Sequence, residues 1–257
     1  MDKIYKTAEV AKRVGVHSNT VRLYEKLELI PKANRLPNGY RVFTNYHIEQ
    51  FNLARTAFKV EVLQNGLRKK IINVVKLSAK GELQQAINCT KDYINQIKQE
   101  RKNAEEAIEL SKKLLLGIDD KDNNNDIFFT RKQTADYLKV TMDTLRNWEM
   151  NGLLTVKRKQ NGYRVYTEGD INRLKIIRTL RCANYSLSAI LRMVNAISES
   201  VEIDIREVIN EPKEDEDIVT ACDKLLTSLS DAEKNANSIL KQLELMENEF
   251  KASRKNN

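Results

Sequence analysis

Cysteine, proline and glycine are scarce in this chain, at 3, 3 and 8 of 257 residues. The cysteines, Cys89, Cys182 and Cys222, form no CxxC pair and are odd in number, which argues against a disulfide framework or a thiolate metal site. Each is expected as a small buried hydrophobe. So little glycine and proline cannot supply the many tight turns of a β-sandwich or barrel. No run approaches the roughly 20 apolar residues that span a membrane, and the first residues lack the apolar core of a signal peptide. No Gly-rich phosphate loop, nucleophile motif or metal-ligand cluster is present, so no enzyme, catalytic residue, cofactor or metal is expected. The two histidines, His17 and His47, are expected at helix boundaries rather than as ligands or bases. What the chain does have is charge, at 31% of residues, above the usual quarter and typical of long solvated helices. These features predict a mainly α, cytoplasmic protein with no membrane partner.

The charge is banded. Residues 1–82 hold 16 Lys+Arg against 7 Asp+Glu, net +9, and residues 128–197 hold 13 against 5, net +8. Residues 83–127 are net −2 and residues 198–257 net −7. Two separate basic modules suggest two places where a polyanion is held.

The two basic stretches are copies of one another. Val10 to Arg22 aligns with Thr134 to Arg146 at an offset of 124, and Asn38-Gly39-Tyr40-Arg41-Val42-Phe43-Thr44 recurs as Asn161-Gly162-Tyr163-Arg164-Val165-Tyr166-Thr167 at an offset of 123. One residue is lost between the blocks, where a loop would absorb it. Each copy reads as helix, break at Gly15 or Lys139, helix, then hairpin. Thr7 and Thr130 are the candidate N-caps, Gln133 completing a capping box with Thr130. Thr134 is the polar exception where the first copy has Val10. Asn38-Gly39 and Asn161-Gly162 are expected to supply the positive-φ residues of the hairpin turns. Lys32, Arg35 and Arg41 decorate the first hairpin, and Lys157, Arg158, Lys159 and Arg164 the second. A helix-turn-helix followed by a basic hairpin is a winged helix, whose second helix fits the DNA major groove.

Thr20-Val21-Arg22-Leu23-Tyr24-Glu25, Leu29-Ile30 and Gly39-Tyr40-Arg41-Val42-Phe43 together resemble the DNA-binding domain of the MerR family. Thr144-Leu145-Arg146-Asn147-Trp148-Glu149, Gly152-Leu153-Leu154 and Gly162-Tyr163-Arg164-Val165-Tyr166 match it again; Glu28 departs from the pattern where Gly152 keeps it. The resemblance covers about 70 residues of each half. It implies that Arg22 and Arg146 reach phosphates and that Tyr24 and Trp148 sit at the backbone edge, with packing against the core as the rival role for both rings. Tyr40, Arg41, Tyr163 and Arg164 would anchor the wings. Asn19, Thr20, Asp143 and Thr144 lie where base-edge contacts are made, and their differences imply unlike half-sites.

Each module precedes a long helix. Ile218, Cys222, Leu225, Leu229, Ala232, Ala236, Ile239, Leu243, Met246 and Phe250 follow a 4-3 spacing, a coiled-coil seam. Ile87, Ile94, Ile97, Ala104, Ile108 and Leu115 make a second seam, interrupted by Arg101 and Ser111. The expected organisation is a first winged helix over 1–82, a rod over 83–116, a polar linker over 117–127, a second winged helix over 128–197, an acidic connection over 198–217 and a rod over 218–253. At ~1.5 Å per residue a rod of about 34 residues is roughly 50 Å long. The resemblance implies homodimers joined by antiparallel helices, and this chain carries both halves. A single-chain pseudo-dimer with paired rods is therefore expected, a homodimer with rods paired between chains being the rival. The leading function is a sequence-specific regulator of transcription that binds double-stranded DNA and distorts it, with RNA polymerase at the promoter as a partner. The alternatives are an architectural DNA binder in chromosome organisation or recombination, and a coiled-coil scaffold.

Overall fold

A computed structural model describes residues 3–60, 66–119, 128–199, 204–212 and 222–255. The fold is mainly helical, with two winged helix-turn-helix domains and two long helices. The chain forms two compact units, residues 1–98 with 229–257, and residues 99–228.

In the first unit, α1 (Thr7–Val14) and α2 (Ser18–Lys26) make the helix-turn-helix. Gly15 ends α1 by entering the left-handed region at φ 67°, which costs glycine nothing. His17 caps α2, its Nδ1 accepting the Asn19 N–H at 3.2 Å. Lys6, not Thr7, is the N-cap of α1, because the Glu9 carboxylate takes the Lys6 N–H at 2.6 Å. The wing pairs β1 (Asn34–Arg35) with β2 (Arg41–Val42), antiparallel. At its tip the Gly39 N–H bonds Leu36 O and the Leu36 N–H bonds Tyr40 O. Only Gly39 of the Asn-Gly pair has positive φ, so the tip is a three-residue loop with a left-handed glycine rather than the two-residue turn expected. Then come α3 (Asn45–Ala57), α4 (Leu67–Ala79) and the long α5 (Leu83–Asp119). Tyr5, Val10, Val14, Val21, Ile30, Phe43 and Phe51 form the core.

The second unit repeats this with β3 (Phe129–Thr130), α6 (Arg131–Leu138), α7 (Met142–Met150), β4 (Lys157–Arg158), β5 (Arg164–Tyr166), α8 (Glu168–Cys182) and α9 (Leu187–Glu199). The Thr130–Gln133 capping box forms as expected, Gln133 Oε1 taking the Thr130 N–H at 2.8 Å. Lys139 holds the left-handed position that Gly15 holds in the first copy. The missing residue falls just before the wing, where Pro31-Lys32-Ala33 is matched by Thr155-Val156. The second wing tip repeats the Gly39 loop at Gly162.

The copies differ after their last module helix. Lys80-Gly81-Glu82 joins α4 to α5, whereas α10 (Ile205–Asn210) intervenes before α11 (Leu225–Lys255). Arg192 of α9 holds this insertion. It is 8% exposed, and its guanidinium donates to Val208 O, Ile209 O and Asp223 O at 3.1, 3.3 and 2.6 Å. Two of these carbonyls lie in the last turn of α10, where a cation is favoured. The stretch expected as an acidic connection is thus helical over 205–210; residues 200–203 and 213–217 lie outside the described residues.

The long helices bury their seams. Ile87, Ile94, Ile97, Ala104 and Ile108 of α5 are buried, as are Leu225, Leu229, Ala232, Ala236, Ile239, Leu243 and Met246 of α11. Ser111 is buried too, its hydroxyl satisfied by Ala107 O at 2.7 Å. Phe250, expected in the seam, is exposed, and Cys222 sits in the turn before α11. Gly117, expected to end the first rod, is inside α5. Ile218, the side chain of Leu115 and linker residues 120–127 lie outside the described residues.

Two imperfect copies of one fold suggest repairs. Thr134 is fully buried with its hydroxyl unpartnered among the described residues, and Glu28 takes φ 60° where the second copy has Gly152. Thr134→Val and Glu28→Gly are each expected to stabilise by about 1 kcal/mol, read by urea unfolding. A third difference concerns pH. His47 is buried, its Nδ1 accepting the Thr44 N–H at 3.0 Å, and burial pushes its pKa below the ordinary value. The unfolded chain therefore takes the proton more readily. This stabilising contribution is complete above the unfolded value of about 6.5 and is lost as pH falls below it. His47→Gln, which keeps the acceptor as Gln133 does, should flatten the fall in stability between pH 7 and pH 5. Glu49, whose pKa is raised by burial and by Glu249, acts in the opposite sense in both proteins and so drops out of the comparison.

Candidate nucleic-acid interface

The second helix of each module, α2 or α7, carries the expected contact residues in register. Asn19, Arg22, Asp143 and Arg146 are exposed; Thr20 and Thr144 are half-buried. The Thr144 hydroxyl lies 2.9 Å from that of Thr141, the N-cap of α7. Arg22 Nη1 is 3.4 Å from Asn19 Oδ1, so these two side chains share one face.

The two aromatic rings pack against their own modules. Tyr24 stacks on Phe51 with centroids 4.3 Å apart and planes 12° from parallel. Trp148 is only 4% exposed. Trp148 thus belongs to the core of its module, while Tyr24 is partly buried against the core of its own.

The wing arginines turn inward. Arg41 Nε donates to Glu25 Oε2 at 2.6 Å, while Glu25 Oε1 accepts the Ala33 N–H at 3.1 Å. One carboxylate on α2 therefore grips both sides of the wing base. In the second module Arg164 Nε donates to Glu149 Oε2 at 2.5 Å, and Arg158 and Arg131 lie 3.8 and 3.9 Å from the same carboxylate. The hydrogen bond to Glu149 raises the pKa of Arg164 further. Arg41 and Arg164 thus tie each wing to the second helix of its own module, each guanidinium being engaged by a glutamate.

The wing tips are free to meet a ligand. Tyr40 and Tyr163 are 68% and 73% exposed, each backbone N–H held by the Asn38 or Asn161 side chain at 3.2 Å. Arg35, Lys157, Arg158 and Lys159 are exposed around them; Arg35 Nη1 also reaches Gly39 O at 3.2 Å.

Further basic residues flank the second helices. Arg55 and Lys59 border a concavity with Tyr24. Arg178 and Arg181 border its counterpart with Asp143, Asn147 and Trp148. The i, i+3 spacing of Arg178 and Arg181 in a basic stretch was the signal for them. One arginine of each set also braces the fold, since Arg55 donates to Val14 O and Arg181 to Tyr185 O at 2.5 Å. Cys182 borders the second concavity and is exposed, while Cys89 and Cys222 are half-buried; none is the buried hydrophobe expected. Among the described residues, no three His, Cys, Asp or Glu side chains converge as metal ligands.

Glu149 faces three guanidinium groups and Glu25 one, which predicts unequal costs. Glu149→Gln should destabilise by about 2 kcal/mol and Glu25→Gln by about 1 kcal/mol, reduced from fully buried values because the partners are partly solvated. Chemical unfolding at low and high salt checks this, the difference between the variants narrowing as salt rises.

Comparison with known proteins bears on both modules. Residues 129–197 match the family model described as MerR HTH family regulatory protein, and residues 6–43 match that of MerR family regulatory protein. The chain is 42% identical over 53 residues to the HTH-type transcriptional regulator CueR of Yersinia pestis, covering 21% of this chain and 38% of the relative. It is 36% identical over 64 residues to the HTH-type transcriptional regulator ZntR of Escherichia coli (strain K12), covering 24% and 45%. To the mercuric resistance operon regulatory protein of Bacillus cereus it is 28% identical over 71 residues, covering 28% and 53%. The chain thus spans about two fifths to one half of the length of these curated relatives. No solved structure matches. With both modules matched and the same helix-turn-helix and wing built twice, the chain is a member of the MerR family with two tandem MerR-type domains.

Proposed function

We propose that this protein regulates transcription by binding double-stranded DNA as a single-chain pseudo-dimer, its two modules reading unlike half-sites. The observation that carries this reading is that each compact unit joins one module to part of the other half's long helix. In the first unit Gln242 Nε2 of α11 donates to Glu49 O of α3 at 2.9 Å, and Lys98 of α5 lies 3.9 Å from Glu233 of α11. In the second unit Arg206 of α10 pairs with Glu105 of α5 at 3.2 Å. Contacts that a symmetric dimer makes between chains are then made within one.

The basic wings and second helices supply the electrostatic part of binding, and the differing side chains on α2 and α7 supply the sequence preference. Distortion of the promoter, which lets RNA polymerase engage it, adds specificity through the sequence-dependent cost of deforming DNA. An architectural binder would use the same modules with little preference among sequences.

Light scattering should give a mass near the chain's 29.7 kDa; a value twice that overturns the pseudo-dimer and leaves DNA binding standing. A selected DNA site should be bound ~10³-fold or more tightly than bulk DNA, and equal affinity for both would support the architectural reading. Lys157→Ala and Lys159→Ala should each weaken binding to all sequences alike and flatten the salt dependence by about one unit of slope.

A further inference from the structure

The outer faces of α2 and α7 carry different chemistry at equivalent positions. One turn beyond Asn19, α2 exposes Leu23, at 49%. One turn beyond Asp143, α7 exposes Asn147 at the matching place, 124 residues on. Leu23 takes no part in the core, because α2 buries its other side: Val21 is fully buried and Tyr24 stacks on Phe51. The Asn147 side-chain amide bonds to no described residue, although its backbone carbonyl accepts Asn151 Nδ2 at 2.8 Å. On one helix an apolar group is therefore held out to solvent beside Asn19 and Arg22. On the other, a free donor and acceptor stand beside Asp143.

We infer that Leu23 and Asn147 are specificity-determining residues that make the two half-sites unlike, Leu23 selecting a thymine and Asn147 an adenine. The inference rests on the DNA-binding reading above and goes beyond it in naming the bases. The thymine 5-methyl is the one apolar group on the major-groove edge, so it is the feature an exposed leucine on a groove-facing helix can recognise. Packing on that methyl removes apolar surface of both partners from water. An asparagine amide matches adenine, whose N7 accepts and whose N6 donates, in a bidentate pair. Both side chains lie on the face already shared by the neighbouring contact residues, since positions four apart on a helix are neighbours.

The test uses the full chain and DNA modified one atom group at a time. The preferred site is first selected from randomised duplexes. Each thymine is then replaced by deoxyuridine, which lacks only the methyl, and each adenine by 7-deazaadenine, which lacks the N7 acceptor. One deoxyuridine in one half-site should weaken wild-type binding about 5- to 10-fold, and one 7-deazaadenine in the other should do the same. Leu23→Ala should abolish the first effect alone, and Asn147→Ala the second alone. Leu23→Asn should change the selected base from thymine to adenine at that position, with the salt slope unchanged. The inference is overturned if wild-type protein tolerates deoxyuridine and 7-deazaadenine at every position, or if Leu23→Asn selects the wild-type sequence. If wild-type protein selects no sequence, the DNA-reading proposal itself fails and this inference with it. The modified duplexes read the wild-type chain directly, so that arm of the test does not depend on how a variant folds.

Discussion

The working geometry of both modules depends on one carboxylate. Glu25 on α2 and Glu149 on α7 each reach across to the returning wing strand, taking Arg41 Nε and Arg164 Nε at 2.6 and 2.5 Å. A hairpin of two or three residues per strand buries too little to offset its ordering, so it leans on its neighbours: Phe43 bridges Tyr5 in the first module, and β5 pairs with β3 as well as β4 in the second. The ion pair adds a tie from the returning strand to the helix beside it. Charge placed here is also directional: each arginine has its Nε toward glutamate, which fixes the strand's position relative to the helix. In the second module Arg158 and Arg131 join the same carboxylate, leaving excess positive charge at the wing base.

Behind the interface, buried polar groups settle the arrangement of helices. Gln50 is fully buried, donating to Leu29 O and Val75 O at 3.0 and 2.9 Å and accepting from Ser78 Oγ at 2.6 Å. It therefore links the end of the helix-turn-helix to α4. In the second unit Arg192 does comparable work, its guanidinium satisfied by backbone carbonyls of α10 and the turn before α11. A buried guanidinium is tolerated only because its hydrogens find acceptors. These networks turn a two-helix motif into a platform from which the long helices depart.

Most of the fold was legible in the sequence because the duplication shows the pattern twice. The breaks at Gly15 and Lys139, the Thr130–Gln133 capping box and the helix-boundary histidines all follow from local chemistry. So do the buried seams from Leu225 to Met246 and from Ile87 to Ile108, since apolar periodicity is a property of a few adjacent turns. Other features were not legible. Asn38-Gly39 is compatible with two loop geometries, and the strand register chose the one with a single left-handed residue. Phe250 continues the seam spacing yet is exposed. Arg55 and Arg181 carry no local pattern that marks a partner, yet each donates to a backbone carbonyl of its own module, Val14 O and Tyr185 O.

The amino-acid sequence by itself determined the element types, the repeat and the family, because helix, turn and wing signals are written in residues a few positions apart. Tertiary structure decided the partners of the polar and aromatic side chains on the short helices and wings. Trp148 went to the core of its module and Tyr24 against the core of its own, while Leu23 and Asn147 went to the surface. Arg41 and Arg164 went to glutamates 15 or 16 residues away. Those choices depend on partners brought together by folding, and no local pattern records them.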